Sequence, residues 1–298
     1  MVGGGRVSRL FAFGLGFSAQ ELAGRLTGQG WEIAGTARDE AKIAQAQAKG
    51  YAATRFAGEA GNPALLAQLE GTTHLLHSIP PGPDGDPVLA HYRDEIAKLG
   101  SLEWIGYLST VGVYGDQAGR WVDEATAPKP NSARTEARVI AEKAWLDFGA
   151  ETATPVQVFR LAGIYGPGRS VFDKLAAGTA RRINKDGQVF SRIHVADIAS
   201  VLEASMARPR GGAIYNVADD EPAAPGDVVA HAADLMGVSP PPEVDFADAD
   251  LTPMARSFYN GSRRIGNALI KSELGVALRY PTFREGLAAL MPRVKADQ

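Results

Sequence analysis

Leu10-Phe11-Ala12-Phe13-Gly14-Leu15-Gly16-Phe17-Ser18-Ala19 decides how the rest of the chain is read: a short apolar run, then two glycines and an alanine. Behind it Ala19, Leu22, Ala23 and Leu26 recur at helical spacing, so the segment is predicted as strand, tight turn and helix. In such a turn Gly14 supplies the backbone freedom to leave the strand. Gly16 lets the main chain approach a pyrophosphate with no Cβ in the way, and Ala19 keeps the helix close to the sheet. The helix N-terminus adds unpaired N–H groups and a positive dipole end, which suit the phosphates of a dinucleotide. Gly14, Gly16 and Ala19 are therefore the expected cofactor-binding positions.

Glycine spacing alone recurs by chance in a chain with 34 glycines, so the context has to carry the motif. A second apolar strand, Trp31 to Thr36, follows at a βαβ distance and ends in Ala37-Arg38-Asp39. An NAD site wants a carboxylate there for the ribose 2′-hydroxyl, whereas an arginine accommodates a 2′-phosphate. Arg38 thus favours NADP over NAD. The alternative is that Arg38 is a solvated loop residue and Asp39 the N-cap of the next helix.

The 298 residues, 45% hydrophobic, allow one large α/β domain or a domain with an appendage. A formal net charge of −3 gives no electrostatic footprint for nucleic acid. No apolar run approaches the ~20 residues of a membrane span, and Met1 to Arg6 lack a signal peptide's apolar core, so a cytoplasmic protein is expected. With no cysteine, the chain has no disulfide, thiolate metal site or cysteine nucleophile. His74 and His77, three apart in an apparent strand, should point to opposite faces, so no metal centre is expected.

Strand-like runs at Leu10–Phe13, Trp31–Thr36, Tyr51–Phe56, His74–Ile79, Trp104–Ser109 and Val156–Leu161 alternate with helical candidates. The helices are expected at Ala19–Gln29, Glu40–Lys49, Pro63–Leu69, Val88–Leu99 and Arg134–Phe148. That alternation predicts an α/β fold with a doubly wound parallel sheet covered by helices on both faces, a Rossmann domain. The expected division is a dinucleotide-binding domain over residues 1–162 and a smaller C-terminal α/β substrate domain over 163–298, with 192–217 returning to the Rossmann core. Ser239 to Pro242, with three consecutive prolines, and Asp245 to Asp250 read as a solvated loop.

Five further segments resemble the extended short-chain dehydrogenase/reductase (SDR) superfamily, the group containing nucleotide-sugar epimerases and dehydratases. They are Tyr107-Leu108-Ser109-Thr110-Val111-Gly112-Val113-Tyr114-Gly115, Phe159 to Gly168, Arg192-Ile193-His194-Val195-Ala196-Asp197-Ile198-Ala199, Ile214 to Asp219, and Tyr280-Pro281-Thr282-Phe283-Arg284-Glu285-Gly286-Leu287. They run in the family's order over nearly the whole chain. The resemblance implies a Rossmann domain and a smaller C-terminal domain closing over a substrate cleft. It also implies a homodimer formed through helices around Val88–Leu99 and Arg134–Phe148.

Thr110 falls where the family keeps its catalytic Ser or Thr, and a hydroxyl there can donate to a substrate oxygen as charge develops on it. It can equally be read as a residue that simply ends its strand. The family's Tyr and Lys, four apart on the following helix, are missing: no tyrosine in the chain has a lysine four residues later. With Glu142 as the anchor, the pair becomes Arg134 and Arg138. An arginine stays protonated, so Arg134 cannot serve as a general acid/base, but it can bind a carboxylate or phosphate by a bidentate fork. Arg138 can still hold cofactor ribose as the lysine would. The alternative is two solvated arginines, with Arg138 paired to Glu142 on the helix surface.

Val111 and Gly112 stand where the dehydratase branch places acids, which disfavours a sugar 4,6-dehydratase. The chain looks most like the atypical extended SDRs of bacteria, labelled nucleoside-diphosphate-sugar epimerases, in which Tyr and Lys are replaced. Ser78, ending the fourth strand before Ile79-Pro80-Pro81-Gly82, is a candidate cofactor contact, although the prolines can simply shape the exit loop. Tyr165 offers a phenol after the sixth strand and is a candidate catalytic residue. His194 reads as a buried histidine satisfied by backbone, and Asp219-Asp220-Glu221 as a solvated turn.

Two functions follow. One is an NADP-binding oxidoreductase or epimerase-like enzyme acting on a polar or anionic small molecule, with no nucleic-acid or membrane partner. The other is a non-catalytic NADP(H)-binding sensor or scaffold.

Overall fold

The first strand, β1 (Arg9–Phe13), is buried on both faces from Leu10 onward, the signature of a central parallel strand. The structure, a computed structural model, describes residues 7–291; the N-terminal hexapeptide read above lies outside them. From β1 the chain alternates: α1 (Phe17–Gly28), β2 (Glu32–Ala37), α2 (Glu40–Ala48), β3 (Ala52–Arg55), α3 (Ala64–Leu69), β4 (His74–His77), α4 (Pro87–Ala97) and β5 (Trp104–Thr110). After a short strand β6 (Trp121–Val122) come α5 (Ala133–Thr152) and β7 (Val156–Leu161). Then follow β8 (Gly163–Tyr165), α6 (Val171–Ala176), β9 (Arg182–Asn184), β10 (Arg192–His194), α7 (Val195–Ala207) and β11 (Ala213–Val217). The chain closes with α8 (Pro225–Leu235), β12 (Glu243–Asp245), α9 (Pro253–Ser257), β13 (Arg264–Ile265), α10 (Ala268–Ser272) and α11 (Phe283–Leu290).

Seven strands form one sheet in the order β11-β7-β5-β4-β1-β2-β3, and every pair in it is parallel. The chain winds outward from β1 to β3, returns across β1 to β4, and winds the other way. The strand order therefore reverses between β1 and β4, where an open α/β sheet leaves a crevice at its carboxyl edge. Apolar side chains fill both faces. One layer joins Leu22 and Leu26 of α1 to Ile198, Val201 and Leu202 of α7. The other packs Tyr92 and Ile96 of α4 against Trp145 and Phe148 of α5. His74 lies among Trp31 and Trp104 on the first face, and His77 beside Tyr107 and Trp145 on the second.

Local chemistry sets the helix starts. Asp86 caps α4 by accepting from the backbone N–H groups of both Val88 and Leu89, with Pro87 at the first turn. Ser132 and Thr135 form a reciprocal capping box on α5. Arg25 of α1 crosses to α7, donating to Ser200 Oγ at 2.9 Å and the Ala196 carbonyl at 2.6 Å, and pairing with Glu203 at 3.1 Å.

The remaining strands form two-stranded parallel pairs, β8 with β10, β9 with β12 and β6 with β13. Asp245, read from sequence as loop, ends β12 opposite Asn184, because the β9 partner that orders it lies about 60 residues away in sequence. A smaller apolar cluster joins Phe172, Val228, Ala232, Phe283 and Leu287 from α6, α8 and α11. Among the described residues no helix is long and apolar enough to cross a membrane.

Candidate cofactor cleft and active site

Phe13, His77 and Tyr107 stand in register across β1, β4 and β5, so the residues just beyond them share the carboxyl edge of the sheet. Gly14 leaves β1 at φ +91°, a conformation that disfavours side chains. Its N–H donates to Thr36 Oγ1 at 2.9 Å, and Leu15 N–H to the Thr36 carbonyl at 2.7 Å. Ser78 closes the turn from β4, its hydroxyl donating to the Gly14 carbonyl at 2.6 Å. A Cβ on Gly14 would stand 2.6 Å from Ser78 Oγ.

Gly16 is the N-cap of α1, and a Cβ on it would meet nothing within 4 Å. No side chain caps this helix and no acid stands in its first turn. The first intrahelical bond runs from Gln20 N–H to the Gly16 carbonyl at 2.8 Å, so the N–H groups of Phe17, Ser18 and Ala19 remain without partners among the described residues. Open space over Gly16, bare N–H donors and a fully buried Ala19 together fit the pyrophosphate of a dinucleotide. Gly35 was missed by the sequence reading. A Cβ on it would run into the Ala12 carbonyl, so β2 can lie beside β1 only with glycine there, and the one signal was a glycine inside an apolar strand.

Arg38, just beyond β2, is exposed and makes no hydrogen bond or ion pair among the described residues. Asp39 caps α2, accepting from Lys42 N–H at 2.9 Å and pairing with Lys42 Nζ at 3.1 Å. Those bonds hold its carboxyl below the usual carboxylate range.

Thr110 ends β5 in register with Leu161 of β7, itself opposite Val217 of β11. Its Oγ1 accepts from Gly112 N–H at 3.1 Å, leaving the hydroxyl proton free to be donated. One residue earlier a buried network begins. Ser109 Oγ donates to Glu142 Oε1 at 2.5 Å, and Arg160 of β7 grips the same carboxylate, with its closest contact at 2.7 Å. Arg160 also donates to the Tyr114 hydroxyl at 2.9 Å, which donates in turn to Asn216 Oδ1 at 2.8 Å. Glu124 accepts from Asn216 N–H at 2.8 Å, and burial raises its pKa.

The alternative of a surface pair between Arg138 and Glu142 is therefore excluded: Glu142 is 3% exposed and belongs to Arg160. Periodicity showed both residues on α5 but not that β7 supplies a closer cation. Arg138 instead turns to the sheet edge, with Nη1 on the Leu108 carbonyl at 2.8 Å and the Tyr107 hydroxyl at 3.2 Å. Arg134, in the first turn of α5, is exposed, with its guanidinium 5.4 Å from the centre of the Phe258 ring.

Tyr165 is placed otherwise than a catalytic phenol requires. It is 8% exposed, and its hydroxyl points at α11, where it donates weakly to the Thr282 carbonyl at 3.5 Å and fills the space a Cβ on Gly286 would need. Burial and the carboxyls of Asp219 and Asp197 push its pKa up. His194, 3% exposed, caps α7 through Nδ1, which accepts from Ala196 N–H at 3.1 Å, and burial lowers its pKa to about 4.

Asp219 corrects the reading of Asp219-Asp220-Glu221 as a solvated turn. It is 1% exposed, held inward by a bond from its own N–H to the Arg192 carbonyl at 2.7 Å. Among the described residues its carboxyl oxygens find no hydrogen-bond partner of good geometry, the Glu221 N–H and the Arg192 charge lying nearby, and burial pushes its pKa up to about 8. Arg192 is fixed by Nη1 on the carbonyls of Phe190 (2.9 Å) and Ala223 (3.2 Å). Three adjacent acids in sequence gave no hint that the first turns inward.

Known proteins share this architecture. Residues 87–218 match the family described as NAD dependent epimerase/dehydratase. A conserved protein of unknown function from Silicibacter pomeroyi is 51% identical, superposes with a TM-score of 0.86, and is matched over 96% of this chain and 98% of its own. Protein YeeZ of Escherichia coli K12 is 27% identical over 281 residues, 90% of this chain and 94% of YeeZ. The dTDP-glucose 4,6-dehydratase of Bacillus anthracis, solved with NAD, is 19% identical with a TM-score of 0.76 over 96% of this chain and 95% of its own, a likeness of fold. With its seven-stranded parallel sheet and glycine turn at the switch point, the chain belongs to the NAD-dependent epimerase/dehydratase family, within the extended SDR group.

Proposed function

We propose that the chain is an NADP-dependent oxidoreductase or epimerase-like enzyme acting on a polar, anionic, sugar-nucleotide-like molecule. The observation that carries this reading is the uncapped N-terminus of α1 beneath Gly14 and Gly16, with a free Arg38 one strand away. The preference for the 2′-phosphate is supported by the state of Asp39: the carboxylate that would receive a ribose diol is already occupied as the cap of α2.

A bound nicotinamide supplies reversible hydride transfer at a carbon bearing oxygen. Gly14 and Gly16 bring bare backbone to the phosphates, and Ser78 holds their turn closed. Arg138, anchored through one nitrogen, keeps further donors for ribose hydroxyls. Thr110 donates its hydroxyl proton to the reacting oxygen. Arg134, without an acidic partner, receives the substrate anion by its planar fork. The same reading pairs two copies through α4 and α5, where Ile140 is 60% exposed.

A second reading, a dinucleotide sensor without chemistry, is favoured by one observation. The tyrosine-lysine acid/base pair is absent, and the buried phenols of Tyr107, Tyr114 and Tyr165 are all shifted upward, away from neutral pH. The two readings separate in a metabolite extract incubated with NADP⁺ and either the wild-type protein or Thr110→Val. Loss of an anionic metabolite with wild type only supports the enzyme. Identical profiles with both proteins leave the sensor.

A further inference from the structure

The loop between β8 and α6 lies on the start of α1. Gly166 packs so closely there that a Cβ would stand 2.6 Å from Val195 and 3.2 Å from the Phe17 ring. Backbone bonds between Gly166 and Arg169, at 3.1 and 3.0 Å, close the turn, and Gly168 takes φ +71° within it. These constraints deliver the Arg169 guanidinium to 5.7 Å from the centre of the Phe17 ring. Phe17 is the first residue of α1 and one of the three whose N–H groups lack partners.

Among the described residues Arg169 pairs with no carboxylate, and the first turn of α1 holds no acid. Arg169 is solvent-exposed, and its positive charge stands on the side of Phe17, at the positive end of the α1 dipole. Like charges so placed repel, and an anion between them satisfies both. Arginine is also the cation whose planar fork takes two phosphate oxygens at once.

We propose that Arg169 grips the pyrophosphate of the dinucleotide at the N-terminus of α1, reaching over Phe17 from the substrate lobe. This rests on the dinucleotide reading given above. It makes the cofactor a bridge between the glycine turn and the Gly166–Arg169 loop, so that dinucleotide binding also fixes one wall of the substrate lobe.

Calorimetric titration of the nucleotide-free, full-length protein with ADP and with adenosine tests this, comparing wild type, Arg169→Gln and Arg169→Lys. Arg169→Gln should bind ADP about tenfold or more weakly, as loss of a charge-assisted contact implies, and adenosine as wild type does. Arg169→Lys should fall between. ADP affinity unchanged in Arg169→Gln, or ADP and adenosine weakened alike, overturns the assignment to the pyrophosphate. Wild-type protein that binds neither ADP nor NADPH nor NADH removes the dinucleotide reading itself, and this one with it.

Discussion

Ser78 Oγ donates to the carbonyl oxygen of Gly14 at 2.6 Å, and this bond joins the two strands that flank the switch point of the sheet. Ser78 therefore acts on the cofactor site through the turn it holds. Ser78→Ala should weaken NADPH binding several-fold and lower stability by about 0.5–1.5 kcal/mol, the net worth of one hydrogen bond. Gly14→Ala should do worse on both, because it adds a Cβ at φ +91° where Ser78 already stands. Fluorescence titration and urea unfolding check the order; equal effects from both variants would contradict it.

Arg38→Ala should raise the Kd for NADPH tenfold or more and leave NADH binding nearly unchanged, since only NADPH carries the 2′-phosphate. A parallel loss for both cofactors would show that Arg38 supports the loop instead of reading the ribose.

Glu142 and Arg160 form a buried bidentate pair beneath Thr110. Arg160→Met leaves a carboxylate buried without its cation and should cost about 3–5 kcal/mol. The double variant Arg160→Met with Glu142→Leu should recover much of that loss, as both charges are gone. Chemical denaturation of the single and double variants measures it, and simple additivity of the two losses would refute the pairing argument.

Asp219 makes stability fall as pH rises from about 4 to 8. Its folded pKa, about 8, lies above its ordinary value of 3.8, so the folded state holds the proton longer than the unfolded chain does. Stability from this group is full below pH ~4 and is lost as pH rises toward 8. Relative to wild type, Asp219→Asn should gain urea resistance steadily across that window. His74 and His194 act at the acid end: burial lowers both to about 4 from 6.5, so their contribution is lost as pH falls from 6.5 to 4. A gap between Asp219→Asn and wild type that stays constant with pH would mean the carboxyl does not titrate there.

The first half of the fold was legible because the inner strands are buried on both faces and each helix on one, so apolar periodicity reports directly on burial. Val156–Leu161 matched residue for residue, and no other strand end moved by more than two positions. The strand-turn-helix through Gly14, Gly16 and Ala19 was legible for the same reason: its backbone geometry is encoded by a local motif. Partnerships across long separations were not. Nothing near Glu142 in sequence announces Arg160, and nothing near Tyr165 announces the Thr282 carbonyl or Gly286. The inward turn of Asp219 depends on a carbonyl of β10, 27 residues back in the chain. Charged side chains were misread where the fold, not the local pattern, chose their partners.

The proposed function stands on a dinucleotide site in which Arg38 reads the 2′-phosphate. Fluorescence titration of nucleotide-free protein with NADPH and NADH in parallel tests it most directly. Tight NADPH binding with much weaker NADH binding is the predicted result. Binding of neither, by protein shown to be folded and stripped of co-purified nucleotide, would contradict it.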